Sequence, residues 1–377
     1  MDVHQSHPPS AIPGGATGEV VSVLDAEGRA DAAVDPKLDV ALVRRMYQAM
    51  VRTRLIDDRL TKLQRQGRVG FHVGSLGEEA AIIASAAAMR PQDWLFPCYR
   101  EVGAALYRGF SLQTYIDNMY GNANDVVHGR QMPDHITSRE MHFGSITSPI
   151  GTQITQAVGF AWAAKIKRED LVTGVYFGDG ATSSNDFHSG MTFAGVFKTP
   201  TVFLLRNNGW AISVPSAQQS AARTYADKGP GYGVFAVRCD GNDALAVYAT
   251  VKKAVERAAS RQGPTLIEMM TYRAGPHSTS DDPGVYREEP DAERQRARDP
   301  LLRLRRHLER LEAWSERQEK KFADEVQKEL QVCIERAEAA PAPPLGTMFE
   351  EVYAEMPWHL ADQLRECVDG PRTRKKH

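Results

Sequence analysis

Residues 171–209 have the sequence LVTGVYFGDGATSSNDFHSGMTFAGVFKTPTVFLLRNNG, in which two apolar runs are each followed by a polar turn. Residues 171–177 and 201–205 are rich in β-branched and aromatic side chains, a composition that favours buried strands. Residues 186–197, between them, predict a helix. A strand, turn, helix and strand in this order form the βαβ unit of a parallel sheet with a right-handed crossover. We therefore predict an α/β fold, a doubly wound, mostly parallel sheet with helices on both faces.

The two polar turns lie where ligands bind in sheets of this kind. Gly178-Asp179-Gly180 follows the first strand and Asn207-Asn208 follows the second, so both turns are at carboxyl ends of strands. Carboxylate and amide oxygens suit Mg²⁺, which also takes phosphate oxygens. Gly180 and Ala181 offer backbone N–H groups to an anion at a helix start. These residues indicate a magnesium-bridged diphosphate, although a GDG turn on its own more simply caps a helix.

The rest of the chain divides into three regions. Residues 1–37 are rich in Pro, Gly, Ala and Asp, which predicts a flexible N-terminal extension. Residues 38–299 should form the α/β domain. Residues 300–377 should form a C-terminal helical region and an arm that packs on the domain or on a partner subunit. Apolar spacing predicts further helices at residues 38–66, after 77–79, at 154–165 and at 244–261, and strands at 94–96, 234–237 and 265–269.

Composition excludes several classes of protein. The 377 residues are 42% hydrophobic and 25% charged, which is ordinary for a globular chain with a sizeable core. A net charge of −2 argues against a broad nucleic-acid surface. No apolar run approaches the roughly 18–20 residues of a membrane span. The 4 cysteines are too scattered for a disulfide framework or a zinc cluster. No basic segment followed by an apolar stretch begins the chain, so we expect a cytoplasmic protein without nucleic-acid or membrane partners.

The spacing of the two turns matches a known family. Gly178-Asp179-Gly180, 26 intervening residues and Asn207-Asn208 resemble the thiamin diphosphate fingerprint. From about residue 40 the chain resembles the alpha subunit of the first, decarboxylating component of 2-oxo acid dehydrogenase complexes, and most of all its branched-chain members. The motifs that carry this resemblance are Tyr99-Arg100-Glu101, ITSPIGTQ at 146–153, RNNGWAIS at 206–213 and TYRAGPHSTSDD at 271–282.

The resemblance implies a site for thiamin diphosphate and Mg²⁺. The metal ligands would be Asp179, Asn208 and the carbonyl of Trp210, which replaces a more usual tyrosine. Cofactor contacts are implied for Tyr99, Arg100, Ser148, Ile150, Gly180, Ala181, Arg206 and His277. Ser148, facing the aminopyrimidine side, and His277 would be the catalytic residues. A K⁺ loop is implied at Thr147, Pro149, Thr152 and Gln153, although a proline-containing turn before a helix explains these residues equally well.

The same resemblance implies the reaction and the partners. Thiamin diphosphate supplies a carbanion that attacks the 2-oxo carbon and stores electrons when CO₂ leaves. The substrates would be branched-chain 2-oxo acids such as 3-methyl-2-oxobutanoate, and the acyl group would pass to the lipoyl group of an acyltransferase component. The family's activating glutamate belongs to the beta subunit, and nothing in this sequence replaces it. We therefore expect an α₂β₂ heterotetramer that is active only with its beta subunit.

Three other functions are weighed against this one. A pyruvate or acetoin dehydrogenase alpha subunit is the nearest, but PHSTSDD at residues 276–282 favours the branched-chain members. A nicotinamide dehydrogenase requires a GxGxxG turn after an early strand, and the sequence has none. A non-enzymatic scaffold subunit would not need the diphosphate-binding residues.

The loop at residues 273–287 has almost nothing apolar to offset its backbone entropy, roughly 1–2 kcal/mol per residue. We expect the cofactor to order this loop through His277, while Tyr286, Arg287 and Asp281-Asp282 complete an internal hydrogen-bond network. The alternative is a permanently rigid Asx-type turn that needs no ligand.

Overall fold

A five-stranded parallel sheet forms the centre of the protein, whose computed structural model describes residues 18–288 and 298–371. The strands of this sheet are β1 (Trp94–Phe96), β2 (Thr173–Gly178), β3 (Thr201–Asn207), β6 (Phe235–Asp240) and β7 (Thr265–Met270), and a small antiparallel hairpin contains β4 (Trp210–Ala211) and β5 (Val214–Pro215). The order across the sheet is β1-β2-β3-β7-β6, and every neighbouring pair is parallel. The predicted fold class is confirmed.

Helices occupy about half of the remaining described chain. They are α1 (Val40–Arg65), α2 (Glu79–Ala88), α3 (Val102–Tyr107), α4 (Leu112–Tyr120), α5 (Thr152–Lys167), α6 (Asn185–Phe197), α7 (Ser216–Gln219), α8 (Lys228–Gly231), α9 (Ala244–Ala259), α10 (Pro300–Arg310), α11 (Glu316–Ala339), α12 (Thr347–Glu350) and α13 (Trp358–Asp369). None of these described helices is both long enough and apolar enough to cross a membrane.

The path of the chain through the sheet places helices on both faces. From β1 to β3 the strands advance in one direction, and α5 and α6 pack together on one face. From β6 to β7 the chain steps back, so a right-handed crossover puts α9 on the opposite face, beside α2. The buried side chains alternate accordingly: Val175 and Phe177 of β2 pack with the α5–α6 layer, whereas Tyr176 packs with the other core.

The N-terminal segment packs against the domain. Val23 and Leu24 are each only 3% exposed. Their backbone N–H groups donate to Oδ2 of Asp243 at 2.7 and 2.6 Å, at the start of α9. The prediction of a flexible extension is therefore not met for residues 21–31, because a short apolar run finds both a core and a buried acceptor. Residues 1–17 lie outside the described part of the chain.

The C-terminal helices share the core of the α/β domain. Leu304 and Leu308 of α10, and Leu330 and Ile334 of α11, are buried in the same cluster as the apolar face of α1. The boundary predicted at residue 299 therefore separates regions of sequence and not two cores. In contrast, α13 has no buried residue.

Candidate functional site

A cavity of about 380 Å³ lies at the carboxyl ends of β2 and β3. Parallel pairing aligns Gly178 with Arg206, so the two polar turns that follow these strands meet at one edge of the sheet. The cavity wall contains ten of the predicted residues, Tyr99, Arg100, Ile150, Asp179, Gly180, Ala181, Arg206, Asn208, Trp210 and His277, together with Cys98 and Arg273. The fold thus assembles most of the predicted site from five separate segments.

Asp179 is a buried carboxylate with one unused oxygen. Its Oδ2 accepts hydrogen bonds from Oγ of Ser216 and Nε2 of Gln219, both at 3.2 Å. Its Oδ1 is buried and has no hydrogen-bond partner among the described residues. Burial raises the pKa of Asp179 above that of an ordinary aspartate. A cation beside Oδ1 would satisfy the oxygen and stabilise the charged form, so this geometry fits a metal ligand.

Asn208 and Trp210 provide neutral oxygen atoms next to this carboxylate. Nδ2 of Asn208 donates to Oε1 of the buried Glu78 at 3.1 Å, which fixes the amide orientation. Its Oδ1 accepts the N–H of Trp210 at 3.1 Å and has a second lone pair. No group of three or more His, Cys, Asp or Glu residues with metal-binding geometry occurs in the described part of the chain. The available donors are therefore hard oxygens, which suit Mg²⁺ better than zinc or copper.

Arg206 is held inside the protein by two acidic residues. Its Nη1 lies 2.7 Å from Oε2 of Glu78, and its Nη2 lies 2.5 Å from Oε1 of Glu101. Its Nε has no partner among the described residues, and neither has Nε of Arg273, which also lines the cavity. These two N–H groups are buried donors that an anion would satisfy, so the cavity fits a phosphate group.

The surroundings of His277 favour the neutral form of its imidazole. Its Nδ1 lies 3.1 Å from Nη2 of Arg100 and 3.3 Å from Nη1 of Arg273. Burial, followed by the charges of Arg100 and Arg273, lowers the pKa of His277 to about 4. Because both neighbours donate, Nδ1 acts as the acceptor and the proton is assigned to Nε2. His277 can therefore donate one hydrogen bond from Nε2 without carrying a charge, in contrast to the charged donor that arginine provides.

The loop that bears His277 has the internal network that its sequence predicts. Oδ2 of Asp281 accepts the backbone N–H of His277 and the hydroxyl of Tyr286, both at 2.6 Å. Nη2 of Arg273 donates to that hydroxyl at 2.9 Å, and the Arg287 guanidinium donates to the carbonyl of Arg273. Asp282 is not part of this network, because its side chain caps the short 3₁₀ turn at Pro283–Val285.

Two groups of predicted residues lie outside the cavity wall. Ser148 is exposed, and its hydroxyl lies 2.7 Å from Nε2 of His135. The residues of the K⁺ loop are close in sequence, but Nε2 of Gln153 donates to the carbonyl of Tyr176 at 2.9 Å, and the hydroxyl of Thr147 donates to the carbonyl of Pro149 at 3.4 Å. Ser148 as a catalytic residue, and Thr147, Pro149, Thr152 and Gln153 as K⁺ ligands, remain predictions.

Sequence reasoning missed Glu78 and Arg273 at the site, and it missed His135 beside Ser148, outside the cavity wall. Glu78 connects Arg206, Asn208 and Thr271, which are distant in sequence. Arg273 lines the cavity, and His135 pairs with Ser148. Glu78 stands in a Gly-Glu-Glu turn at the start of a helix, which indicates an ordinary helix start. Nothing local shows that its side chain turns inward to pair with an arginine on β3.

Comparison with known proteins agrees with this geometry. The family model described as "Dehydrogenase E1 component" matches residues 47–345. The chain is 43% identical over 352 residues to 2-oxoisovalerate dehydrogenase subunit alpha 1, mitochondrial, of Arabidopsis thaliana, which covers 92% of this chain and 74% of the relative. It is 40% identical over 360 residues to the human mitochondrial 2-oxoisovalerate dehydrogenase subunit alpha, which covers 95% of this chain and 81% of the relative. A similar match, 41% over 349 residues, is found in Caenorhabditis elegans. With a family model that spans most of its length and relatives that share its full core, the chain belongs to the dehydrogenase E1 component family.

Proposed function

We propose that this chain is the alpha subunit of a thiamin diphosphate-dependent 2-oxo acid dehydrogenase that decarboxylates branched-chain 2-oxo acids, such as 3-methyl-2-oxobutanoate, and transfers the acyl group to the lipoyl group of an acyltransferase component. The observation that carries the proposal is the cavity whose wall contains Asp179, Arg206 and Arg273, each of which has a buried side-chain atom without a hydrogen-bond partner among the described residues. A divalent cation and a diphosphate would complement the charges of these three side chains. The relatives named as 2-oxoisovalerate dehydrogenase alpha subunits favour branched-chain substrates over pyruvate or acetoin.

Different residues of the cavity wall would bind Mg²⁺ and the diphosphate of the cofactor. Asp179, Asn208 and the carbonyl of Trp210 would bind Mg²⁺. The diphosphate would be bound by Tyr99, Arg100, Arg206, Arg273, His277 and the backbone of Gly180 and Ala181. Thiamin diphosphate, when bound, supplies the carbanion that attacks the oxo carbon and accepts the electrons released with CO₂.

His277 would keep a fixed protonation state in this site. Its neutral imidazole, oriented by Arg100 and Arg273 at Nδ1, presents the Nε2 proton as a donor. A neutral donor holds an anionic group without the strong desolvation cost of a second buried cation. The arginines would therefore supply most of the positive charge at the diphosphate. His277 would contribute a hydrogen bond of defined orientation from Nε2.

A partner subunit would complete the site. Asp179 is the only acidic residue among the described residues of the cavity wall, and it is assigned to the metal. No acidic side chain of the wall is then left to activate the aminopyrimidine ring. A beta subunit that contributes a glutamate to each cavity, in an α₂β₂ heterotetramer, supplies the missing group, and the name "subunit alpha" of the relatives agrees with such a partner.

Two finer assignments are part of the proposal. Thr147, Pro149, Thr152 and Gln153 would form a K⁺ site, and the buried Oε1 of Gln153, which lacks a partner among the described residues, supports an added ligand there. The cytoplasmic location expected from the sequence also stays a prediction, since the named relatives are mitochondrial proteins.

The proposal is tested by co-expressing the chain with its candidate beta subunit and assaying decarboxylation of several 2-oxo acids. Activity should require both thiamin diphosphate and Mg²⁺ and should be highest with branched-chain substrates. Equal or higher activity with pyruvate would contradict the substrate assignment, and binding of no thiamin diphosphate by the complex would contradict the cofactor assignment.

A further inference from the structure

A cluster of charged side chains is buried outside the cavity, between α1 and α4. His72, in the loop after α1, is only 1% exposed. Its Nδ1 lies 3.2 Å from both carboxylate oxygens of Asp134, and its Nε2 lies 3.4 Å from Oδ1 of Asp57 on α1. Tyr115 of α4 donates its hydroxyl to Oδ1 of Asp134 at 2.6 Å. Three polypeptide segments are thus joined through one imidazole ring.

The position of His72 between two carboxylates favours its protonated form, an imidazolium. Burial disfavours the charge, but Asp134 and then Asp57 outweigh burial and raise the pKa of His72 to about 10. The carboxylates also accept backbone N–H groups, Val73 to Asp134 at 2.7 Å and Ser75 to Asp57 at 2.7 Å. Apolar residues of similar volume commonly stabilise a core as well as a buried ion pair does, so stability alone does not account for this cluster.

The segment that follows His72 connects the cluster to the cavity. Residues 72–77 face Asp57 and Asp134 on one side, and on the other side they bond to the loop that bears His277. The carbonyl of His72 accepts the N–H of Thr279 at 3.1 Å, and its N–H donates to Oγ1 of Thr279 at 3.2 Å.

Two further bonds extend this connection. The carbonyl of Gly74 accepts Nη1 of Arg100 at 2.5 Å, and the carbonyl of Leu76 accepts the N–H of Ala274 at 2.9 Å. The backbone of residues 72–77 therefore contacts Arg100 and the His277 loop on one side. On its other side it is hydrogen-bonded to the carboxylates of Asp57 and Asp134.

We propose that His72, clamped by Asp57 and Asp134, is a positioning residue that holds the His277 loop and Arg100 in the geometry that binds the cofactor diphosphate. His72 lies outside the cavity wall and acts through the two hydrogen bonds between its backbone and Thr279. This inference rests on the proposed function, because it takes thiamin diphosphate as the ligand of the cavity.

Two variants test the inference in the co-expressed complex. His72→Gln removes the cation and leaves two buried carboxylates facing a neutral amide. Thr279→Val leaves the cluster intact but removes the acceptor of the His72 N–H, and Thr279→Ser, which keeps the hydroxyl, is its matched control. Arg303→Gln breaks a similarly buried ion pair with Asp240, at 2.6 Å, away from the cavity wall, and controls for general destabilisation.

The first readout is trypsin cleavage after Arg273 without cofactor. The Arg273 side chain is buried, so cleavage there reports opening of the loop. His72→Gln and Thr279→Val should raise the cleavage rate roughly tenfold, the size expected when one buried hydrogen bond is lost. Arg303→Gln and Thr279→Ser should cleave at the wild-type rate.

The second readout is the Kd for thiamin diphosphate with Mg²⁺, measured by calorimetry. His72→Gln should weaken binding by roughly tenfold, and adding Asp134→Asn should restore part of the affinity, because the second change removes a stranded carboxylate. Wild-type cleavage rates and affinities in both His72→Gln and Thr279→Val would overturn the inference, and so would equal losses in Arg303→Gln. A wild-type complex that binds no thiamin diphosphate would contradict the proposed function, while the cofactor-free cleavage rates would still decide whether the cluster holds the loop.

Discussion

At the scale of single residues, the site contains one buried charge that is paired, that of Arg206, and one that is not paired among the described residues, that of Asp179. Arg206 is neutralised by Glu78 and Glu101, so it can be buried at 2% exposure without a ligand. Asp179 has no such cation among the described residues, and its hydrogen bonds come from the neutral Ser216 and Gln219. An unpaired buried carboxylate is costly, which makes Asp179 the residue whose environment most requires a metal.

Replacing this carboxylate should remove metal-dependent cofactor binding. Asp179→Asn keeps the size of the side chain but loses the charge, so we expect the affinity for thiamin diphosphate with Mg²⁺ to fall about 100-fold, or about 2.8 kcal/mol. Calorimetry on the co-expressed complex measures this change. Asp227→Asn, which removes a half-buried carboxylate paired with the exposed Arg223, serves as the control. Unchanged affinity in Asp179→Asn would remove Asp179 from the metal site.

The raised pKa of His72 predicts a dependence of stability on pH. The pKa is near 6.5 in the unfolded chain and about 10 in the folded protein. The folded state therefore holds the proton more tightly, and the stabilisation is complete below about pH 6.5 and is lost as the pH rises towards 10. The difference in melting temperature between wild type and His72→Gln should shrink over that window. A difference that stays constant from pH 6 to 10 would show that His72 is neutral.

At the scale of elements, the turn after β2 depends on close approach to the β4–β5 hairpin. A Cβ atom at Gly180 would lie 2.7 Å from Cβ of Ala211, whereas at Gly178 the nearest atom would be 4.0 Å away. Both glycines flank Asp179, but only Gly180 is confined by a neighbour. The hairpin carries Trp210, so its position also sets the carbonyl assigned to Mg²⁺.

The different space around Gly180 and Gly178 predicts different effects for the same substitution to alanine. Gly180→Ala should displace the hairpin and weaken cofactor binding by at least about tenfold, because a contact under 3 Å between carbon atoms forces a shift of backbone. Gly178→Ala should bind almost as tightly as wild type. Calorimetric titration of both variants decides the point. Equal affinities would mean that the hairpin can move without affecting the site.

The N-terminal segment and α9 are joined through one side chain. Asp243 caps α9 by accepting the N–H groups of Leu245 and Ala246, and its other oxygen accepts those of Val23 and Leu24. One carboxylate thus satisfies four buried backbone donors from two elements.

Removing the Asp243 carboxylate should destabilise the protein more than the loss of an ordinary helix cap does. We expect Asp243→Ala to lower the free energy of unfolding by roughly 2–4 kcal/mol, compared with about 1 kcal/mol for a simple cap. Asp39→Ala is the matched control, since Asp39 caps α1 through Ala41 at an exposed site. Urea denaturation of the full chain gives both values, and equal losses would show that the segment adds nothing to the cap.

At the scale of the whole molecule, the chain exposes apolar side chains on the α5–α6 layer. Phe160 and Ile166 of α5 and Phe193 and Val196 of α6 are 36–69% exposed. Surfaces of this kind on soluble proteins commonly mark subunit contacts. This face agrees with the beta subunit that the proposed function requires.

The isolated chain should therefore be inactive. We expect negligible decarboxylation of 2-oxo acids by the purified chain with thiamin diphosphate and Mg²⁺, and activity on addition of the beta subunit, because no acidic residue of the described cavity wall remains to activate the cofactor. A continuous assay of CO₂ release measures both. Substantial turnover by the chain alone would mean that the catalytic set is complete within it.

The sequence alone determined the βαβ unit and the family, because these depend on local patterns. The apolar runs of β2 and β3 and the turns that contain Asp179 and Asn208 can be recognised within a few dozen residues, and parallel pairing then forces the two turns to one edge of the sheet. The helices and strands predicted around them are also present, with ends shifted by a few residues.

Only the tertiary structure decided which charges are paired. Glu78 with Arg206, His72 with Asp134 and Asp243 with the segment at Val23 join residues that are 62 to 220 positions apart. Such pairs leave no local pattern, because a charged residue in a loop or at a helix start has the same appearance whether it meets water or a buried partner. Burial decides between the two cases, since an unpaired charge is tolerated at the surface and costly inside. Burial is a property of the assembled fold.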